Sequence, residues 1–170
     1  MWQQGRIKET DPAVRQRLND YWVTGTGSPR YEKDWPSKVP WSAAFISWIM
    51  RKAGAGQAFH YSAAHVNYII AARKNRLENS PNPFKAYRTT EVAPRIGDIV
   101  CREREGSNAS YDNLRPGMLT HCDIVVEVRP GSIVTIGGNV SNSVSQTIVR
   151  TDPRGLVTQP GYFAIIRVGD

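Results

Sequence analysis

The chain has 170 residues, enough for one domain and long enough to bury a core without covalent staples. Apolar residues make up 40% and charged residues 22%, the balance of a globular domain, and no apolar run reaches the roughly 18–20 residues that a bilayer span needs. The formal charge of +7 favours anionic polymers such as nucleic acid, teichoic acid or a membrane surface, or is simply a solvated basic surface. The basic residues are scattered, and no helix-turn-helix, zinc-finger or aromatic RNA-binding signature is present, so nucleic acid is not an expected partner.

The N-terminal Met1-Trp2-Gln3-Gln4-Gly5-Arg6 lacks the apolar core of a signal peptide. It suits a cytoplasmic protein, one exported without a signal, or a piece of a longer chain. The first predicted element is a helix. Thr10-Asp11-Pro12 supplies a cap and then a proline where a missing N–H costs nothing. Val14, Leu18, Tyr21 and Trp22 fall on one face, and Gly25 and Gly27 end it. Residues 26–40 read as a loop closed by Pro40. A second helix over 42–53, stopped by Gly54, is apolar nearly all round and should be buried on most sides. A third starts after Ser62 and runs to about Asn75, with Tyr68, Ile69 and Ala72 inward.

Residues 78–97 read as a loop, with room for a short strand at 84–87. After Gly97 the pattern changes to strands at 98–102, 120–129, 132–136, 143–150 and 162–168, with turns at Pro130-Gly131 and Pro153-Arg154-Gly155. Residues 103–119 form a long polar loop of the kind that borders a site. Helices first and strands second predict one α+β domain over 1–170: an N-terminal helix and loop (1–37), a helical part (38–77) and a β part (78–170). The expected sheet has five antiparallel strands and curls toward a barrel.

Three segments carry chemistry. Pro40-Trp41-Ser42 opens the buried helix, whose unpaired N–H groups and positive dipole end suit an oxyanion or a nucleophile. Ser42 is also a favoured N-cap residue. Thr120-His121-Cys122-Asp123 opens a strand, and alternation puts His121 and Asp123 on one face, close enough for the carboxylate to reach the imidazole. Gly137-Gly138-Asn139 closes the next strand. Its glycines allow close backbone approach and Asn139 can orient a histidine, or the three form only a turn.

The chain has three histidines, His60, His65 and His121. If the first turn of the third helix faces the mouth of the second, all three converge with Asp123 and can hold zinc. Otherwise His65 is a polar helix residue near the cleft. Cys101 and Cys122 form one bond or stay as buried thiols. If their strands pair as antiparallel neighbours, both thiols point to one side, with Cα atoms at the roughly 4.4–6.8 Å a disulfide requires.

In order and spacing, Trp41-Ser42-Ala43-Ala44-Phe45-Ile46-Ser47-Trp48, Pro94-Arg95-Ile96-Gly97-Asp98-Ile99-Val100, His121-Cys122-Asp123-Ile124-Val125-Val126 and Ile136-Gly137-Gly138-Asn139 resemble the CHAP and NlpC families of peptidoglycan hydrolases. The chain is also similar to an uncharacterised bacterial family, found in phage and type VI secretion settings, that carries the same Trp-Ser-Ala-Ala-Phe segment. The resemblance spans about residues 38–140 and implies a papain-like fold, with a buried central helix packed on the sheet. It also implies that Ser42 stands where those families have a nucleophilic cysteine, His121 at their histidine and Asn139 at their third polar residue.

The serine is a departure. A cysteine at a helix start attacks as a thiolate, whereas a serine needs a base acting in the transition state. Replacing the triad carboxylate by Asn costs a serine protease about 10⁴ in kcat, and Asp123 is the carboxylate at hand.

The resemblance therefore implies a hydrolase cutting an amide bond in peptidoglycan, as a secreted antibacterial effector or a phage lysis domain. Ser42 would be nucleophile or oxyanion donor, His121 general base, Asp123 or Asn139 its orienter, and the backbone N–H groups at 42–43 the oxyanion site. Trp41, His60, Tyr61 and His65 would line the substrate cleft. No cofactor is expected. One alternative is a non-catalytic wall-binding module. Another is a metal-dependent wall hydrolase, acting on glycan or peptide, with zinc on His60, His65, His121 and Asp123. The implied partners are peptidoglycan and an immunity protein or a secretion or phage structural protein. The implied place of action is the periplasm or cell wall, reached by a signal-independent route.

Overall fold

A computed structural model describes residues 2–28, 39–104 and 106–169. Most of the expected loop at 26–40 lies outside the described residues. Asp11 opens a 3₁₀ turn at Pro12–Val14, its carboxylate accepting the Ala13 N–H at 2.9 Å, and α1 (Arg15–Thr26) follows directly. Gly27 ends α1 with a left-handed φ of 75°. Gly25, expected to help end the helix, lies inside it and is buried. A Cβ there would meet the Ala44 carbonyl at 2.6 Å, so the glycine lets α1 close onto the second helix.

That helix, α2 (Ser42–Lys52), buries Ser42 through Ser47 and Met50, as its apolar circumference predicts. Its N-cap is Trp41, so Ser42 is the first helical residue and not the cap. In mid-helix, the buried Ser47 hydroxyl donates to the Ser62 carbonyl at 2.9 Å and accepts the Ser62 N–H at 3.1 Å. This two-way clamp fixes the chain entering α3 (His65–Leu77) against α2. The Ser62 hydroxyl accepts from the Ala64 N–H and the Asn67 amide, which shapes the turn into α3.

The strands are β1 (Phe84–Arg88), β2 (Ile99–Glu103), β3 (Thr120–Arg129), β4 (Ser132–Val140), β5 (Ser143–Arg150) and β6 (Tyr162–Val168). Among the described residues they form one six-stranded antiparallel sheet in the order β1-β6-β2-β3-β4-β5. It is open, with β1 and β5 at its edges. The sixth strand is β1. Its five residues sit in a segment with three prolines, and pairing with β6 makes it a strand where local pattern is too short to do so.

Alternation divides the core. Ile99, Cys101, Cys122, Ile124, Ala164 and Ile166 pack with the helices, while Val100, Val125 and Ile165 join Ile133, Val149 and Val157 in a second cluster. Each fully buried aliphatic chain stabilises the fold by roughly 1.5–3 kcal/mol relative to exposure.

Cys101 and Cys122 lie directly opposite in the β2–β3 register and are joined by a disulfide, with Cα atoms 4.2 Å apart. That spacing falls just below the expected window and suits a close, non-hydrogen-bonded cross-strand pair. The N-terminal segment is stitched to the β4–β5 turn: Trp2 N–H donates to the Val144 carbonyl, Glu9 N–H to that of Asn142, and the Ser143 hydroxyl to that of Ile7. Trp2 thereby stacks on Trp41 at 5.2 Å between ring centres.

Candidate active site

Three element starts meet in the fold. Ser42 opens α2, His65 opens α3 and His121 is the second residue of β3. Ser42 Oγ lies 2.6 Å from His65 Nε2, and His65 Nδ1 is hydrogen-bonded to the Tyr68 hydroxyl one helical turn on. His121 Nε2 lies 2.7 Å from Asp123 Oδ1. The two imidazole rings are 5.1 Å apart, centre to centre. Ser42, His65, His121 and Asp123 are each at most 5% exposed.

The two glycines of β4 shape this centre. Gly137 is buried opposite the His121–Asp123 end of β3, and a Cβ on it would fall 1.7 Å from Asp123 Oδ1. A Cβ on Gly138 would fall 2.6 Å from Phe45 Cβ on α2. One glycine leaves room for the carboxylate and the next lets the strand touch the helix. The Gly-Gly pair thus lies within the strand and gives the close backbone approach expected of it.

The geometry pairs the sequence-selected residues differently from the expected order. The hydroxyl of Ser42 meets His65, and His121 meets Asp123. Asn139, expected as one possible orienter of His121, has a left-handed φ of 58° in the irregular stretch between Gly137 and Val140 and makes no hydrogen bond to either histidine.

A cleft of about 350 Å³ opens over Ser42 and His65, walled by Trp22, Pro40, Asn67, Arg104 and the segment 118–120. Trp41 does not line it. Trp41 is fully buried in an aromatic cluster with Trp2 and Tyr21, with its indole N–H donating to Glu9 at 2.5 Å. A position beside the nucleophile does not tell which way a cap residue turns, and the aromatic stack takes this one inward. His60 is exposed and Tyr61 packs under Arg51, its hydroxyl donating to the Gly56 carbonyl; neither reaches the cleft. Among the described residues no group of three or more His, Cys, Asp or Glu is placed to hold a metal ion, so the set His60, His65, His121 and Asp123 is not assembled.

Burial drives the His65 pKa well below its ordinary value, and the neighbouring His121, Arg104 and Arg102 add to the effect electrostatically. His65 is therefore neutral near pH 7, with one ring nitrogen donating and the other accepting. In one tautomer Ser42 donates to Nε2 and Nδ1–H donates to Tyr68; in the other both bonds reverse. Burial, then the charge of Asp123, raises the Tyr68 phenol well above its usual range, and the same two causes push Tyr162 up to about 12. Tyr68 thus orients His65 as a neutral hydroxyl, not as an anion.

Tyr68, Arg104 and Thr120 were not singled out from the sequence as site residues. Tyr68 had a readable signal, since a position three after a helical histidine faces it. Arg104 lies in the loop that the sequence marked as bordering a site, and Thr120 in the segment that opens β3, but nothing local picks out either side chain as lining the cleft.

These features define an α+β domain with three helices and a six-stranded antiparallel sheet among the described residues, built around a buried serine–histidine pair in a cleft. Residues 9–165 match the family described as "Uncharacterized protein conserved in bacteria" (DUF2272), and the chain belongs to that family. No curated protein and no solved structure matches it. No described helix is long and apolar enough to cross a membrane.

Proposed function

We propose that this protein is a serine-dependent hydrolase of peptidoglycan amide bonds, on a papain-like variant of the α+β fold. The observation that carries the reading is the 2.6 Å contact between Ser42 Oγ and His65 Nε2 at a helix start on a cleft. A nucleophile within hydrogen-bond reach of a base, itself held by a third group, is the arrangement acyl transfer requires. The peptidoglycan substrate rests on the resemblance to the CHAP and NlpC families and on the basic charge, which suits an anionic wall.

In the proposed reaction Ser42 attacks the amide carbonyl as its proton passes to His65 Nε2. Nδ1–H, donating to Tyr68, holds the ring in the receptive tautomer. The first N–H groups of α2 stabilise the oxyanion. The His65 proton then goes to the leaving amine, and water, deprotonated by the same ring, releases the acyl group. The base is thus His65 in place of His121. His121, held by Asp123 5.1 Å from the reacting imidazole, packs beside the base and helps to fix its position. The disulfide supports action in an oxidising compartment such as the periplasm or the outer wall, where such bonds persist.

Purified sacculi incubated with the protein, with and without chelator, and analysed by mass spectrometry test the proposal. New amine and carboxyl ends should form, insensitive to chelator and absent with Ser42→Ala. Binding without fragments would replace the enzyme by a wall-binding module. Chelator sensitivity or new reducing sugar ends would replace it by a metal-dependent or glycan-cleaving hydrolase. Ser42→Cys should retain or raise the rate, because a thiolate relies less on a base in the transition state.

A further inference from the structure

The two helices that bring Ser42 and His65 together pack mainly on other elements. α2 lies against α1, β3 and β4, and α3 against β1, β3 and β6. Their starts are aligned by the segment that leads into α3. Among the described residues, three hydrogen bonds join α2 to residues 62–65. One is the contact between Ser42 Oγ and His65 Nε2. The other two belong to one hydroxyl: Ser47 donates to the Ser62 carbonyl at 2.9 Å and accepts the Ser62 N–H at 3.1 Å. Ser47 stands about 7.5 Å along α2 from Ser42, and Ser62 comes one short turn before His65. The two cross-links run antiparallel between the same segments, so each restrains pivoting about the other.

Ser47 is a poor choice for its place on local grounds. It is fully buried inside a helix, where serine has weak propensity and its hydroxyl ordinarily bonds a carbonyl of the preceding turn. Here it reaches across and satisfies both backbone groups of one residue on another segment. Alanine would suit the helix better but would leave both Ser62 groups without this partner.

We propose that Ser47 is a positioning residue of the serine–histidine pair: by holding Ser62 it sets the register at which His65 Nε2 meets Ser42 Oγ. It touches neither reacting atom. The inference rests on the hydrolase reading for its effect on rate, but the geometry can be read without any reaction. Proton transfer needs the hydroxyl and the ring nitrogen within hydrogen-bond reach, and a displacement of about 1 Å costs on the order of 10²-fold.

The experiment follows the histidine ring nitrogens by NMR in the full chain labelled with nitrogen-15 at pH 7.5. His60→Gln, His65→Gln and His121→Gln assign the resonances. Ser42→Ala marks where the His65 Nε2 resonance falls when the contact is lost. Ser47→Ala should move that resonance most of the way to the mark and lower fragment release from sacculi by about 10²-fold. Ser47→Thr keeps the hydroxyl and should restore most of both. Ile133→Val shortens a side chain of the second core cluster, lowers stability and should change neither. A serine with a merely structural role would behave as Ile133→Val does. Should Ser47→Ala fail to fold, Ser47→Cys keeps the volume with a weaker donor and acceptor, and should show the same displacement to a smaller degree.

An Nε2 resonance unmoved by Ser47→Ala, fragment release at the wild-type rate in that variant, or an equal displacement with Ile133→Val would each overturn the proposal. A wild-type protein that releases no fragments would sink the hydrolase reading, and the displaced resonance would still support the positioning role.

Discussion

The two buried histidines lie with ring centres 5.1 Å apart and in opposite surroundings. His65 stands between two hydroxyls, Ser42 and Tyr68, on the wall of a cleft, and burial with nearby positive charge keeps it neutral. His121 stands against a carboxylate, on a strand locked to its neighbour by a disulfide. A neutral ring beside a hydroxyl is equipped to accept a proton. A ring tied to a carboxylate is fixed in orientation. Two histidines a van der Waals contact apart can thus be set to different tasks by their second partners alone.

Removing each ring is the most severe test of this comparison. His65→Ala should lower the rate of fragment release from sacculi by about 10⁴-fold or more, as loss of the base does in serine hydrolases. His121→Ala should lower it by about 10²-fold, the scale of a displaced catalytic group. Circular dichroism should show both variants folded. The opposite ranking would return the role of base to His121.

The next two tests act on the His121 side alone. Reducing the Cys101–Cys122 bond, which closes a 21-residue separation, should lower stability by about 3 kcal/mol in denaturant titration. Gly137→Ala should cost about 2 kcal/mol, because the new Cβ would fall 1.7 Å from Asp123 Oδ1 and the carboxylate must move. Its effect on the rate should not exceed that of His121→Ala. A Gly137→Ala protein with wild-type stability and rate would show that the carboxylate contact is dispensable.

The mildest effect is on the His65 side and concerns pH. Because the folded His65 resists protonation, kcat/KM should fall less than about twofold between pH 7.5 and 5.5, where an ordinary histidine near 6.5 would lose about tenfold. Stability carries the matching sign. The unfolded chain takes up a proton near pH 6.5 and the folded His65 does not. Its contribution is therefore intact above that pH and is lost as pH falls toward the lower folded value. Urea titrations at the two pH values should show the loss in the wild type and less of it in His65→Gln.

Much of this was legible in the sequence, and its failures have physical causes. The bounds of β3, β5 and β6 followed from β-branched runs between turns, and the burial of α2 from its apolar circumference. β4 runs four residues past its expected end because Gly137 and Gly138, which read as turn formers, are held in the ladder against Asp123 and Phe45. The residues Ser42, His65, His121 and Asp123 stood out by type and position, but their pairing did not. It depends on the clamp between Ser47 and Ser62, which brings α3 onto α2 and leaves no local pattern. Trp41 was misplaced for a similar reason: its partners Trp2 and Tyr21 come from elsewhere in the chain.

The inward turn of Trp41 gives the protein a built-in optical reporter. Its indole is fully buried one residue before Ser42, and its N–H is held by Glu9 at 2.5 Å. Indole emission follows the local field and the hydrogen bond to that nitrogen, and both are set here by how the start of α2 meets the N-terminal segment. Trp22, which borders the cleft, is a second fluorophore. Occupancy of the cleft can therefore be followed by ultraviolet fluorescence in unlabelled protein, with Trp41→Phe and Trp22→Phe separating movement of the helix start from direct contact with the ligand.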